Sequence, residues 1–229
     1  MHAEVRGQHQ RQARESTLRR RLRLGRSRLE LTQRTLAQLE EAYELTVGAL
    51  AAALELRDDE TGGHARRVAE LGLELARVVD PELAADPELR YGFLLHDIGK
   101  IGVPDAVLLK PGPLDEDELR QLHVHPVLGE HLVRPIPYLS GVAREVIAYH
   151  HERWDGRGYP WRLAGERIPL AARIFAVVDA FDAITSSRPY RAAASAEHAV
   201  GEIERQAGTQ FDPRVVVAFL PIGRRLAAR

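Results

Sequence analysis

The chain has 229 residues, no cysteine and a formal net charge of −1, with 45% hydrophobic and 28% charged residues. That composition belongs to a globular chain long enough for one sizeable domain and an appendage. Without cysteine there is no disulfide framework, and any metal ion must be held by nitrogen and oxygen alone. No uncharged apolar run approaches the ~18 residues of a membrane span. The arginine-rich start lacks the apolar stretch of a secretory signal, and these features together point to the cytoplasm.

The charge is unevenly spread. Residues 1–34 carry ten arginines against three glutamates, a net of +7, so the remainder carries −8. This basic arm reads as a solvated segment. No aromatic residue precedes Tyr43, so it has no platform for stacking bases, and no nucleic-acid partner is expected. From about Thr17 to Arg57 proline is absent and Leu, Ala, Glu, Gln and Arg dominate, which predicts one long helix. Leu22, Leu29, Leu36, Tyr43 and Leu50 recur every seven residues. That seam predicts a parallel coiled coil and a homodimer through the arm. Gly25, Thr32 and Thr46 weaken the companion seam. A single amphipathic helix packed on its own domain is the competing reading. The boundary is placed between an arm of residues 1–45 and a domain of residues 46–229.

Past Arg57 the pattern becomes one of shorter helices. Val68, Leu71 and Leu75 form a helical stripe. Asp80-Pro81 and Asp86-Pro87 break the chain. Leu89, Phe93 and His96 form a second stripe, ending at Gly99. Asp115 and Glu118 make a capping-box variant. Val142, Val146 and His150 continue the helical period, residues 154–169 read as a loop, and Ile174, Val178 and Phe181 begin another helix. No alternating strand pattern of useful length appears, so the fold class is all-α.

Polar residues in apolar helical settings are the chemical signal. His96-Asp97 end an apolar stripe, and Lys100 follows His96 by one helical turn. His64 shares the face of Val68, Leu71 and Leu75, and Glu60 stands one turn earlier if that helix runs back so far. Asp179 interrupts an apolar helix, where an unpaired carboxylate is costly and a cation would remove the cost. His150 and His151 are adjacent, so on a helix they point about 100° apart. They would then serve different ions, or one would sit at a helix end. His125 precedes Pro126 and marks a helix boundary. Singly, each histidine can be a satisfied core residue; together they read as a metal centre.

The ordered set of His64, LLHDIGKIGVPDAVLLKPGPL at 94–114, His125, YHHERWDGRGYP at 149–160, ARIFAVVDAFDAITSSRPYR at 172–191 and FDP at 211–213 resembles the HD-GYP domain family, over roughly residues 46–222. The resemblance implies an HD-type helical bundle with a GYP loop, and a cyclic di-GMP phosphodiesterase yielding pGpG, GMP or both in bacterial second-messenger signalling. By position it implies His64, His96, Asp97 and Asp179 as metal ligands shared with the wider HD superfamily. His125, His150 and His151 match the additional ligands, and Glu60 matches the residue that holds a third metal in some members. Asp97 would bridge two ions at the reaction centre, with Lys100 beside it. Lys100, Arg188 and Arg191 match residues that hold substrate phosphates. Gly158, Tyr159 and Pro160 are the GYP signature. The implied cofactors are two or three transition-metal ions, iron or manganese. The implied partners are diguanylate cyclase (GGDEF) or sensor domains. Other readings are hydrolysis of cyclic GMP-AMP, or a low-turnover cyclic di-GMP receptor. Arg162 departs from the family, which has glycine two residues after the GYP proline; a positive φ there would strain arginine.

Overall fold

A computed structural model describes residues 2–57, 63–187 and 192–228. The helices in chain order are α1 (His2–Arg57), α2 (His64–Val79), α3 (Pro81–Ala85), α4 (Pro87–Leu95), α5 (Asp105–Leu108), α6 (Glu116–Leu122), α7 (His125–Val133), α8 (Val142–Tyr149), α9 (Leu170–Thr185), α10 (Ala196–Arg205) and α11 (Pro213–Ala227). A 3-10 turn over Ile98–Gly102 follows α4. No named strand occurs among the described residues. No described helix is long and apolar enough to cross a membrane.

The chain divides into two compact units, Met1–Thr46 and Val47–Arg229. The first is the greater part of α1, which begins earlier than the composition predicts. Its side chains at Leu29, Leu36 and Leu39 are exposed. The last turns of α1 belong to the second unit, where Val47, Ala51 and Leu54 are buried at helical spacing. Arg57 ends α1 by donating to the Lys100 and Val103 carbonyls at 2.6 and 2.7 Å.

In the second unit α9 is the central helix. Ile174, Phe175, Val177 and Val178 are buried, with Ala176 between them half-buried, as expected of a helix enclosed on most sides. It packs against α2, α8 and α10, and α4 packs against α2 and α8. Val68, Leu75, Leu89, Phe93, Phe175 and Phe219 form the interior. Each such burial contributes about 1.5–3 kcal/mol. The predicted punctuation appears as caps: Asp80 and Asp86 accept amides at the starts of α3 and α4, and Asp115 with Glu118 closes a capping box on α6. Asp212 of the FDP segment caps α11 and pairs with Arg173 at 2.6 Å. The 3-10 turn lies directly on α7, because Gly99 lacks a side chain: a Cβ there would meet the His125 carbonyl oxygen at 1.9 Å.

Candidate metal centre

Four helix ends and one helix face converge. His64 opens α2, His96 and Asp97 follow α4, His125 opens α7, and His150 and His151 follow α8. Asp179 projects from α9. Their ligand atoms fall into two groups, each within 4.8 Å: His64, His96 and Asp179 in one, Asp97, His125, His150 and His151 in the other. Asp97 touches both. Its Oδ2 lies 3.1 Å from His96 Nε2, and its Oδ1 lies 3.1 and 3.6 Å from the Nε2 atoms of His125 and His150. In the first group His64 Nε2 stands 3.4 Å from Asp179 Oδ1.

The orientation of the rings is fixed from behind. His96 Nδ1 donates to the Phe93 carbonyl at 2.9 Å, His125 Nδ1 to Leu122 at 2.8 Å and His150 Nδ1 to Ile147 at 3.0 Å. His64 Nδ1 donates to Asp182 Oδ2 at 2.8 Å. A carbonyl or carboxylate can only accept, so each Nδ1 carries its proton and each ring turns Nε2 towards the cluster, where it offers a lone pair once that nitrogen is deprotonated. The Nε2 atoms of His125 and His150 then face each other at 3.2 Å. Asp97 Oδ1, buried beside them, accepts no hydrogen bond of good geometry. Three lone-pair atoms pointed at one small volume repel unless protons or a cation stand between them. The donor set, all imidazole and carboxylate, suits a first-row transition metal.

The electrostatics run the same way. Burial and the neighbouring charges of His125 and His96 push His150 down to about 4, and burial with His150 and His125 lowers His151 well below its usual range. Both are therefore neutral near pH 7, as ligands must be. Burial opposes charge on His96, but the carboxylates of Asp97 and Asp179 overcome it and raise that ring to about 9. Burial also opposes ionisation of Asp97, yet Lys100 and His96 hold its carboxyl well below the usual range. Lys100 Nζ is 2.7 Å from Asp97 Oδ2.

The GYP segment braces the cluster from one side. Tyr159 stacks between His151 (ring centroids 4.6 Å apart) and His123 (3.8 Å). Gly158 is required there, since a Cβ would meet the Arg153 amide nitrogen at 2.4 Å and the His151 oxygen at 2.5 Å. The Tyr159-Pro160 peptide is cis. Buried Glu152 accepts from the amides of Trp161 at 2.7 Å and Leu163 at 2.9 Å, closing the loop. Between these two anchors Arg162 takes φ 54, the left-handed conformation whose strain its departure from glycine predicts.

The structure thus gathers His64, His96, Asp97, Lys100, His125, His150, His151 and Asp179, with Gly158, Tyr159 and Pro160 alongside. Glu60, Arg188 and Arg191 lie outside the described residues. The helix holding His64 does not run back a turn: α2 starts at His64 behind Gly63, which has φ 90. Of the two readings of His150 and His151, the helix-end one applies: α8 ends at Tyr149, His150 caps it and the chain turns, bringing the two rings to 4.1 Å within one group.

Asp182 was not anticipated. It is buried, orients His64, and is itself gripped by Arg67 through Nε at 2.6 Å and Nη2 at 3.0 Å. Burial alone would raise it, but these donors hold it down to about 2. A second acid three residues after Asp179 on the same apolar helix was the available signal.

Fold and cluster together define a helical domain built round a paired histidine–carboxylate centre. The family model described as HD domain matches residues 48–215. A cyclic di-GMP phosphodiesterase of Vibrio cholerae serotype O1 is 38% identical over 219 residues, covering 87% of this chain and 43% of that protein. A 3'3'-cGAMP-specific phosphodiesterase of the same organism is 39% identical over 186 residues, covering 81% of this chain and 36% of its own length. The chain therefore spans less than half the length of these relatives. The crystal structure of a cyclic GMP-AMP specific phosphodiesterase of V. cholerae shares the fold at TM-score 0.62 and 21% identity, over 80% of this chain and 49% of that one. This chain belongs to the HD domain family, in its HD-GYP branch.

Proposed function

We propose that the chain is a metal-dependent phosphodiesterase that hydrolyses cyclic di-GMP to pGpG, GMP or both. The observation that carries this is the convergence of Asp97 Oδ1 with the Nε2 atoms of His125 and His150, at 3.1 and 3.6 Å. Both of those rings have their other nitrogen committed to a carbonyl, which supports reading the arrangement as a ligand set. His64, His96 and Asp179 would hold one ion and His125, His150 and His151 a second, with Asp97 shared between them. Glu60 is the candidate for a third. Iron or manganese suits this donor set best. Ions so held supply Lewis acidity and an activated water at neutral pH.

The chain's own groups do the rest. Lys100, already beside Asp97, places an ammonium where phosphate oxygens gather charge. Arg188 and Arg191 grip the phosphates, bidentate contacts being what guanidinium supplies. Asp182 keeps His64 in the correct tautomer, and Tyr159 fixes the plane of His151 by stacking.

Cyclic GMP-AMP is the second reading, favoured by the 39% identity to a relative named for it. Assaying cyclic di-GMP and cyclic GMP-AMP side by side, with manganese or iron(II), decides between them. Binding of either without turnover would leave the receptor reading. The arm is assigned to a parallel coiled coil that pairs two domains, in the cytoplasm, with sensor or diguanylate cyclase domains as partners.

A further inference from the structure

A cyclic dinucleotide carries two phosphodiesters on one ring, and the metal centre can engage only one at a time. Beside the cluster lies a cavity of about 470 Å³, lined by His150, His151 and Asp179 and also by Arg153, Arg157 and Gln210. Its size falls in the range of small-molecule sites. Two arginines line it, and their situations differ. Arg153 is committed to Asp155 through two hydrogen bonds of 3.2 and 2.9 Å. The Arg157 guanidinium makes no hydrogen bond or ion pair with a described residue, although its backbone amide is fixed by Asp155 Oδ1 at 3.0 Å. The loop that carries it is braced by Trp154 donating to the Gln210 carbonyl at 3.0 Å and Asp155 to Thr209 at 2.8 Å. The exposed Arg157 side chain thus lines the cavity from a braced loop, with the Asp155 carboxylate as an electrostatic neighbour but with no hydrogen bond to it, and a guanidinium so placed suits an anionic group of a ligand.

We propose that Arg157 binds the distal phosphodiester of the cyclic dinucleotide, so that this cavity holds the half of the substrate not being cut. The inference rests on the function proposed above and specifies how the same site selects a cyclic dinucleotide over a simple diester. Arg157 acts in binding rather than bond breaking, so its loss appears in KM.

The test compares cyclic di-GMP with bis(p-nitrophenyl) phosphate, which has one diester and nothing beyond it. Arg157→Ala lowers kcat/KM for cyclic di-GMP by about 10- to 100-fold, the worth of a charge-assisted hydrogen bond. That loss exceeds the loss on the small diester at least tenfold, and Arg157→Lys recovers part of it. Equal losses on both substrates, or no loss on cyclic di-GMP, would overturn the proposal. If the wild-type protein cleaves the small diester but neither cyclic di-GMP nor cyclic GMP-AMP, the substrate assignment itself fails while the metal centre stands.

Discussion

Gly99 offers a direct probe of how the backbone sets the centre. It sits between Asp97 and Lys100, and a Cβ on it would lie 1.9 Å from the His125 oxygen, 2.5 Å from the Gly129 nitrogen and 2.8 Å from the His125 carbonyl carbon. All three are backbone atoms, so no side chain can swing aside. Relieving the clash in Gly99→Ala means parting the 3-10 turn from α7 by about 1 Å, against interiors packed as tightly as crystals. The cost is about 1–3 kcal/mol for overpacking, or roughly 3–10 °C in Tm for a domain of this size. The same displacement opens the 3.1 Å approach of His125 to Asp97, and a misplacement of about 1 Å costs on the order of 100-fold in turnover. Gly102→Ala is the control, since its Cβ meets Leu128 Cδ1 at 2.9 Å, the end of a flexible side chain. Calorimetry, elemental analysis and turnover are measured on both variants. A Gly99→Ala protein that melts, loads metal and turns over like wild type would refute the packing argument.

Arg162→Gly removes a left-handed residue with an exposed side chain and should stabilise the protein by about 0.5–1 kcal/mol, the left-handed strain less glycine's entropy; a fall in Tm would count against strain at that position. Asp182→Asn keeps an acceptor for His64 but loses the charge, and should weaken metal affinity by about 10–100-fold, measured by competition with a chelator. An affinity within twofold of wild type would show that Asp182 serves α2 and α9 packing alone. Sedimentation of the full chain should give a dimer at tens of micromolar and a version beginning at Thr46 a monomer; two monomers end the coiled-coil assignment, and two dimers move the interface into the domain.

Much of the centre was legible because its chemistry restricts residue type. Histidines and carboxylates on apolar helical faces, at His64, His96 and Asp179, stand out against the hydrophobic period. The caps were legible for a similar reason: Asp80, Asp86 and Asp115 satisfy amides that every helix start leaves open. What the chain alone could not reveal depends on where helices stop. His150 and His151 share a group because α8 ends at Tyr149, and boundaries of that kind are not encoded in periodicity. Asp182 escaped because one carboxylate in an apolar helix already called for a cation, and a second one serving the first group's histidine requires knowing that α2 packs on α9. The contact at Gly99 is likewise a distance between segments, which no local pattern carries.

The decisive question is whether metal ions at this cluster cleave a cyclic dinucleotide. The most direct measurement is hydrolysis of cyclic di-GMP by the purified chain, loaded with manganese or iron(II), with metal content determined on the same sample. The expected result is at least two transition-metal ions per chain and release of pGpG or GMP, with both abolished or sharply reduced in Asp97→Ala while helicity is kept. Undiminished turnover after exhaustive chelation, or near-normal turnover in Asp97→Ala, would contradict it.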